Sequence, residues 1–127
     1  LIMANHNQGG GLCRIWNAGL YSLAGIRATW RNEAAFRQET ILGMILVPAA
    51  FWYGSTAVER GLLIGSCLIV LIVELLNSAV EAAIDRIGED PHKLSGRAKD
   101  MGSAAVFISL WAVVMTWGLI GYERFIA

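Results

Sequence analysis

The chain has 127 residues, 56% of them apolar and only 16% charged, where an average soluble domain is about 25% charged. Ten basic side chains balance ten acidic ones, so no bulk positive field points to nucleic acid as a partner, and no zinc-finger spacing or basic helix is present. Cys13 and Cys67 stand far apart, one in polar and one in apolar sequence, which fits neither a paired metal site nor a disulfide framework. The composition predicts an all-α membrane protein in which the placement of the few charges carries the information.

Residues 1–11 are polar and Gly-rich, without the apolar core of a cleavable signal, and read as a disordered tail before a single membrane domain over 12–127. Leu12, Ile15, Trp16, Leu23, Ile26 and Trp30 recur near helical spacing with Arg14, Asn17, Arg27 and Arg31 between them. That pattern predicts an amphipathic helix over about 12–31, lying on the membrane surface with its basic, Trp-bearing face at the interface. Three transmembrane helices are expected to follow, over about 36–58, 61–87 and 100–122. The first contains 19 uncharged residues from Thr40 to Val58, with Pro48 inside, and the last 22 from Met101 to Tyr122. Both suffice for about 30 Å of hydrocarbon, which takes roughly 20 helical residues. The middle segment spans only with Glu74, Glu81 and Asp85 inside it.

At about 100° per residue Glu81 and Asp85 fall within roughly 20° of Glu74, one on either side, and Asn77 and Ser78 within about 60° of that line. Intramembrane carboxylates are costly and normally face a bundle interior or a watery cavity, so an acidic stripe points to a functional site. A second polar cluster, Asn32-Glu33-Ala34-Ala35-Phe36-Arg37-Gln38-Glu39, precedes the first span, and a third, Ser95-Gly96-Arg97-Ala98-Lys99-Asp100-Met101-Gly102-Ser103, opens the last. In the third, glycines permit close backbone approach and Lys99 supplies charge for phosphate. Carboxylates for a hard cation, a lysine for phosphate and a polar acid at the membrane surface are the parts of a phosphoryl-transfer site. No Gly-x-x-x-x-Gly-Lys-Ser/Thr loop and no Asp-Phe-Gly motif occurs. The residues alone therefore define a cation- and anion-binding membrane site.

The string Val73-Glu-Leu-Leu-Asn-Ser-Ala-Val-Glu-Ala-Ala-Ile-Asp-Arg-Ile-Gly88, followed by Leu94-Ser-Gly-Arg-Ala-Lys-Asp-Met-Gly-Ser-Ala-Ala105, resembles the signature of the prokaryotic diacylglycerol kinase family. The likeness extends to Asn32-Glu-Ala-Ala-Phe-Arg-Gln-Glu39 and covers nearly the whole chain after the tail. It implies ATP-dependent phosphorylation of diacylglycerol to phosphatidic acid, with magnesium as cofactor, by a homotrimer with active sites shared between neighbouring chains. By the same resemblance Glu74 is the general base on the lipid hydroxyl, and Glu33 and Glu81 hold magnesium on the ATP phosphates. Asn77, Lys99 and Asp100 complete the polar site, and Lys99 faces the transferring phosphate. Arg14 and Tyr21 reach nucleotide or lipid, Ser103 lies near the acceptor, and His92 touches the nucleotide. Asn17 stands where the best-known members carry a lysine. The family's sister branch acts on undecaprenol and shares the acidic stripe, while the Glu-Ala-Ala-Phe-Arg-Gln-Glu segment leans toward diacylglycerol. A proton-coupled transporter would also use intramembrane carboxylates, but has no evident need for Lys99 and Asp100.

Orientation follows from the basic residues. Arg14, Arg27, Arg31, Arg37, Arg86, Lys93, Arg97 and Lys99 lie on one side of the expected spans, against Arg60 and Arg124 on the other. The positive-inside rule puts the N-terminus and the loop from Gly88 to Asp100 in the cytoplasm of the bacterial inner membrane, and Ala127 outside. In intact cells an impermeant thiol reagent should modify a cysteine placed at Ala127 and spare one at Ser95. The reverse labelling would invert the topology.

Overall fold

The computed structural model describes residues 10–88 and 90–127; residues 1–9 of the expected tail lie outside them. The described residues form four α-helices and no strand: α1 (Gly11–Asn32), α2 (Ala34–Tyr53), α3 (Ala57–Ile87) and α4 (Lys93–Phe125). Two compact units divide between Asn32 and Glu33.

The N-terminal unit contains α1, a single helix with no buried residue. Leu12, Ile15, Trp16, Leu23, Ile26 and Trp30 remain exposed along it. Ser22 and Thr29 return their hydroxyls to the carbonyls of Ala18 and Gly25 at 2.8 and 2.9 Å, and Arg31 complements the dipole in the last turn.

In the second unit α3 packs against both α2 and α4. Helix α2 is 20 residues long and carries Arg37 and Glu39 in its first two turns. Pro48 lies inside it without ending it, although the missing N–H deprives the carbonyl four residues earlier of its donor. The helix stops at Tyr53, short of the expected 58. Residues 54–56 form a turn, and α3 starts at Ala57 instead of 61. A capping box decides this boundary: Thr56 Oγ1 accepts the Glu59 N–H at 3.1 Å, and Glu59 Oε2 accepts the N–H groups of Ser55 and Thr56 at 2.6 and 3.1 Å. Three backbone donors around the helix start are thereby satisfied locally.

Helix α3 has 31 residues and α4 has 33, lengths of about 46 and about 50 Å that exceed a hydrocarbon core of about 30 Å. Both are long and apolar enough to cross a membrane. Most of the excess of α4 lies at its start, the helix also running to Phe125 instead of 122: it begins at Lys93 instead of 100, because His92 caps it, its Nδ1 accepting the Leu94 N–H at 3.1 Å. The ends of α3 and α4 joined by residues 88–92 thus extend beyond the apolar runs.

The core is small. Ala50, Leu63 and Ile120 are its buried centre, surrounded by Tyr53, Ile64 and Trp117. Large apolar side chains such as Leu62, Ile69, Leu76, Phe107, Ile108 and Trp111 stay exposed, a surface too apolar for water and suited to lipid. Buried Ser66 and Ser109 satisfy their hydroxyls within their own helices, on Leu63 O and Val106 O at 2.8 and 2.7 Å. At the α2–α3 turn the Tyr53 hydroxyl donates to Trp117 O at 2.8 Å, and its ring makes tilted contacts with Trp117 and Phe125, with centroids 4.9 and 5.4 Å away. Arg124 donates to Ser55 Oγ at 2.8 Å and Arg60 to Gly54 O at 3.2 Å.

Gly121 permits the Tyr53 contact. A Cβ there would overlap the Tyr53 hydroxyl and stand 2.8 Å from its ring Cζ. Gly121→Ala should therefore destabilise the solubilised protein by about 1–3 kcal/mol, more than Tyr53→Phe, which loses one hydrogen bond of about 1 kcal/mol. Thermal unfolding of both variants measures the order, and an undisturbed Gly121→Ala would remove Tyr53 as the clamp.

Candidate functional site

The acidic stripe survives as one face of α3 with a gradient of exposure. Glu74 is 5% exposed, Asn77, Ser78 and Glu81 are half-buried, and Asp85 is exposed. Eleven residues from Glu74 to Asp85 correspond to about 16 Å along the axis, so the face runs from buried to exposed over that length.

At the exposed end Lys99 Nζ lies 3.0 Å from Asp85 Oδ1, with side chains 45% and 67% exposed respectively. Lys99 on α4 thus pairs across the hairpin with an acid of the stripe. An ion pair this open is worth at most about 1 kcal/mol, so Lys99 can exchange Asp85 for another anion at little cost. Both border a cavity of about 590 Å³ at the α3–α4 connection, together with Ile84, Asp90, His92 and Gly96. Of the residues singled out in the sequence, His92 and Lys99 therefore share one open, mixed-charge cavity. Arg97, Asp100 and Ser103 are exposed on the first three turns of α4 and are not among its lining residues.

Deeper along α3, Asn77 meets α4 at Gly102. A Cβ on Gly102 would overlap Asn77 Oδ1. Asn77 Oδ1 is buried and has no hydrogen-bond partner among the described residues. The two residues line a groove of about 330 Å³ whose other walls include Val73, Leu76, Val80 and Met101. Gly96, by contrast, has nothing within 4 Å of such a Cβ, so only one of the two glycines in this motif serves the close approach expected of them.

At the level of Glu74 the structure adds a residue to which sequence reasoning assigned no role. Glu39 of α2 interacts through its carboxyl with that of Glu74, is half-buried, and has its Oε2 buried without a hydrogen-bond partner among the described residues. The signal was present: Glu39 follows buried Phe36 by three residues, and with Gly43 and Leu46 of its own helix and Val70 of α3 it lines a small cavity. That spacing marks the inward face of α2.

Glu33 is the N-cap residue of α2, with φ −121° and ψ 109°, and makes no side-chain capping bond. The residue is half-buried, and its carboxylate is uncommitted to the helix. Among the described residues no three His, Cys, Asp or Glu side chains converge as a metal cage. Arg14 and Tyr21 lie on α1 in the N-terminal unit, Arg14 exposed and Tyr21 half-buried.

Comparison with known proteins bears on this arrangement. A family model described as Prokaryotic diacylglycerol kinase matches residues 20–121, from α1 to the last turns of α4. The chain is 51% identical over 123 residues to Diacylglycerol kinase of Escherichia coli (strain K12), covering 97% of this chain and 99% of that protein. It is 54% identical over 110 residues to Diacylglycerol kinase of Pseudomonas aeruginosa, with 87% and 89% covered. To Diacylglycerol kinase of Helicobacter pylori (strain 26695) it is 40% identical over 108 residues, with 85% and 84% covered. A match over most of the chain that takes in α2, the whole stripe on α3 and the opening of α4 leaves one assignment: the chain is an enzyme of the prokaryotic diacylglycerol kinase family.

Proposed function

We propose that the chain transfers the γ-phosphoryl group of ATP to the free hydroxyl of diacylglycerol, giving phosphatidic acid and ADP at the cytoplasmic face of the bacterial inner membrane. The observation that carries this reading is the gradient on α3, from buried Glu74 through half-buried Asn77 and Glu81 to Asp85 beside the cavity that holds His92 and Lys99. A lipid hydroxyl arrives from the hydrocarbon and a nucleotide from water. One helical face offers carboxylates at both depths.

In this reading α2, α3 and α4 span the membrane, α1 lies on its surface, and the N-terminus is cytoplasmic. The apolar length of α3 and α4 supports the spans. The chain acts as a homotrimer with shared sites, an arrangement that the exposed apolar flanks of its helices can accommodate.

ATP occupies the cavity between the end of α3 and the start of α4. His92 keeps Nδ1 on the helix cap and has its other ring nitrogen left for the nucleotide. Lys99 leaves the exposed carboxylate of Asp85 for the phosphates, where Asp100 and Asn77 complete the polar wall. Arg14 and Tyr21 contribute from α1, and Arg14 and Ser103 hold the acceptor lipid. Glu33 and Glu81 would hold magnesium. Glu33 is free of capping duty, and two carboxylates suit an ion that fills its remaining positions with phosphate oxygens and water. The ion neutralises phosphate charge when bound.

The lipid hydroxyl oxygen forms its bond to the γ-phosphorus as the bond from that phosphorus to the bridging oxygen breaks. ADP departs with the electron pair. The hydroxyl proton passes to the Glu74 carboxylate, which stands about 10 Å deeper than Glu81 on the same face and hence toward the lipid.

Purified protein with radiolabelled ATP and magnesium should label diacylglycerol and leave undecaprenol largely unlabelled. Preferential labelling of undecaprenol would move the chain to the sister substrate, and labelling of neither would sink the kinase reading. Glu74→Gln should fold, bind ATP and lose turnover by at least about 100-fold, since positioning remains while proton removal is lost. Near-normal turnover in a stable Glu74→Gln protein would refute its role as base, and a loss matched by lower thermal stability would make it structural.

A further inference from the structure

We infer that Gly102 is a positioning residue for the reaction: by lacking a side chain it admits the Asn77 oxygen against α4 and so turns the Asn77 amide nitrogen toward the substrates. The inference rests on the proposed membership of Asn77 in the active site.

Asn77 projects from α3 at a level where α3 and α4 pack, and Gly102 is the residue it meets. A Cβ at Gly102 would overlap Asn77 Oδ1 and stand 3.2 Å from Cγ, yet 3.8 Å from Asn77 Cβ. The end of the side chain, and not its stem, occupies the space that any other residue would fill. Among the other glycines of α4, Gly96 and Gly118 have nothing within 4 Å, and Gly121 receives Tyr53 in the clamp. Close contact is thus confined to two positions, each facing one polar side chain, and is no general property of a glycine-bearing helix.

Hydrogen bonding does not account for the placement of the carbonyl end. Asn77 Oδ1 is buried and unpartnered among the described residues, a situation that costs about 1–3 kcal/mol for an ordinary polar group. What it touches is the Gly102 methylene, whose Cα hydrogens are weak donors. The groove around the pair is otherwise apolar, with Val73, Leu76, Val80 and Met101, and supplies no competing donor. A carboxamide has two ends: with its oxygen held against α4, the NH2 group is turned away from that helix. That end carries two donors and no acceptor, which suits a phosphate oxygen and is unsuited to a cation. Asn77 therefore serves the transferring group as a donor, and magnesium is left to carboxylates.

Adding one methyl group at Gly102 should rotate the carboxamide without unfolding the hairpin, because Ala is the better helix former and the displaced atoms are the tip of a side chain. A four-protein cycle tests this: the unaltered chain, Gly102→Ala, Asn77→Ser, and both together, each measured for kcat, KM for ATP, KM for diacylglycerol, and thermal midpoint. Gly102→Ala should lower kcat about 10- to 100-fold, as a misplaced group of about 1 Å does, with a midpoint within about 4 °C of the unaltered chain. Asn77→Ser removes the oxygen that the added methyl would overlap and leaves no atom beyond the Cγ position, 3.2 Å from it, so in that background Gly102→Ala should change kcat by less than about twofold.

Equal losses from Gly102→Ala in both backgrounds would overturn the inference, since they would report helix packing and no action through Asn77. So would native turnover in Gly102→Ala, or a loss that follows the thermal midpoint. If Gly102→Ala fails to fold and the double variant folds, the contact is packing alone and the inference falls. If Asn77→Ser turns over normally, Asn77 is outside the active site and its place in the proposed function falls as well. A defective Asn77→Ser with additive behaviour sinks only the role of Gly102.

Discussion

Carboxyl groups on apolar helices are costly to bury unless they face polar partners, and in a bundle whose buried apolar centre is Ala50, Leu63 and Ile120 there is little protein to face. Helix α3 meets that constraint by running between α2 and α4 and turning its acidic stripe along the contacts. Glu74 becomes buried with Glu39 of α2 opposite it. The remaining surface of the helices is left apolar, as lipid requires. The position of α3, the long central helix, follows from what its stripe cannot face.

The two ends of the helical hairpin then divide the work. At the end near Gly54 the contacts are those of a clamp: Tyr53 hydrogen-bonded to Trp117 and tilted against Phe125, Gly121 beneath it, Arg60 and Arg124 on the turn carbonyl and hydroxyl. Its polar atoms are engaged with one another, the buried Trp117 Nε1 excepted. At the other end the ionisable groups are held loosely. Lys99 and Asp85 meet in the open, Glu33 makes no cap, and Asn77 Oδ1 and Glu39 Oε2 have no hydrogen-bond partner among the described residues. The oxygens left unsatisfied gather where ligands are proposed to bind, in keeping with the expectation that local violations of good packing mark functional sites.

Helix capping links the two themes. The capping box at Thr56 and Glu59 closes α3 tightly at the clamp end. The His92 cap starts α4 about two turns early, so that Lys99 is already helical when it reaches Asp85 of α3. Without those added turns Lys99 would belong to a loop. A flexible lysine would find phosphate less reproducibly than one mounted on a helix whose neighbour carries the acids.

Helical class, the acidic face of α3 and the basic asymmetry were legible in the sequence, since all three depend on local periodicity and on the cost of charge in lipid. The motif from Val73 to Ala105 identified the family, and the comparisons agree. Boundaries were less legible: the Thr56-Glu59 box was written in the sequence, yet long uncharged runs mask where a helix ends, and the His92 cap depends on a ring nitrogen reaching a backbone N–H. What the sequence by itself determined is therefore what each helix must hide. Which residues it hides them against was decided only by packing. Glu39 opposite Glu74, Gly102 beneath Asn77 and Gly121 beneath Tyr53 join positions 35, 25 and 68 residues apart, and no periodicity within one helix specifies its register against another.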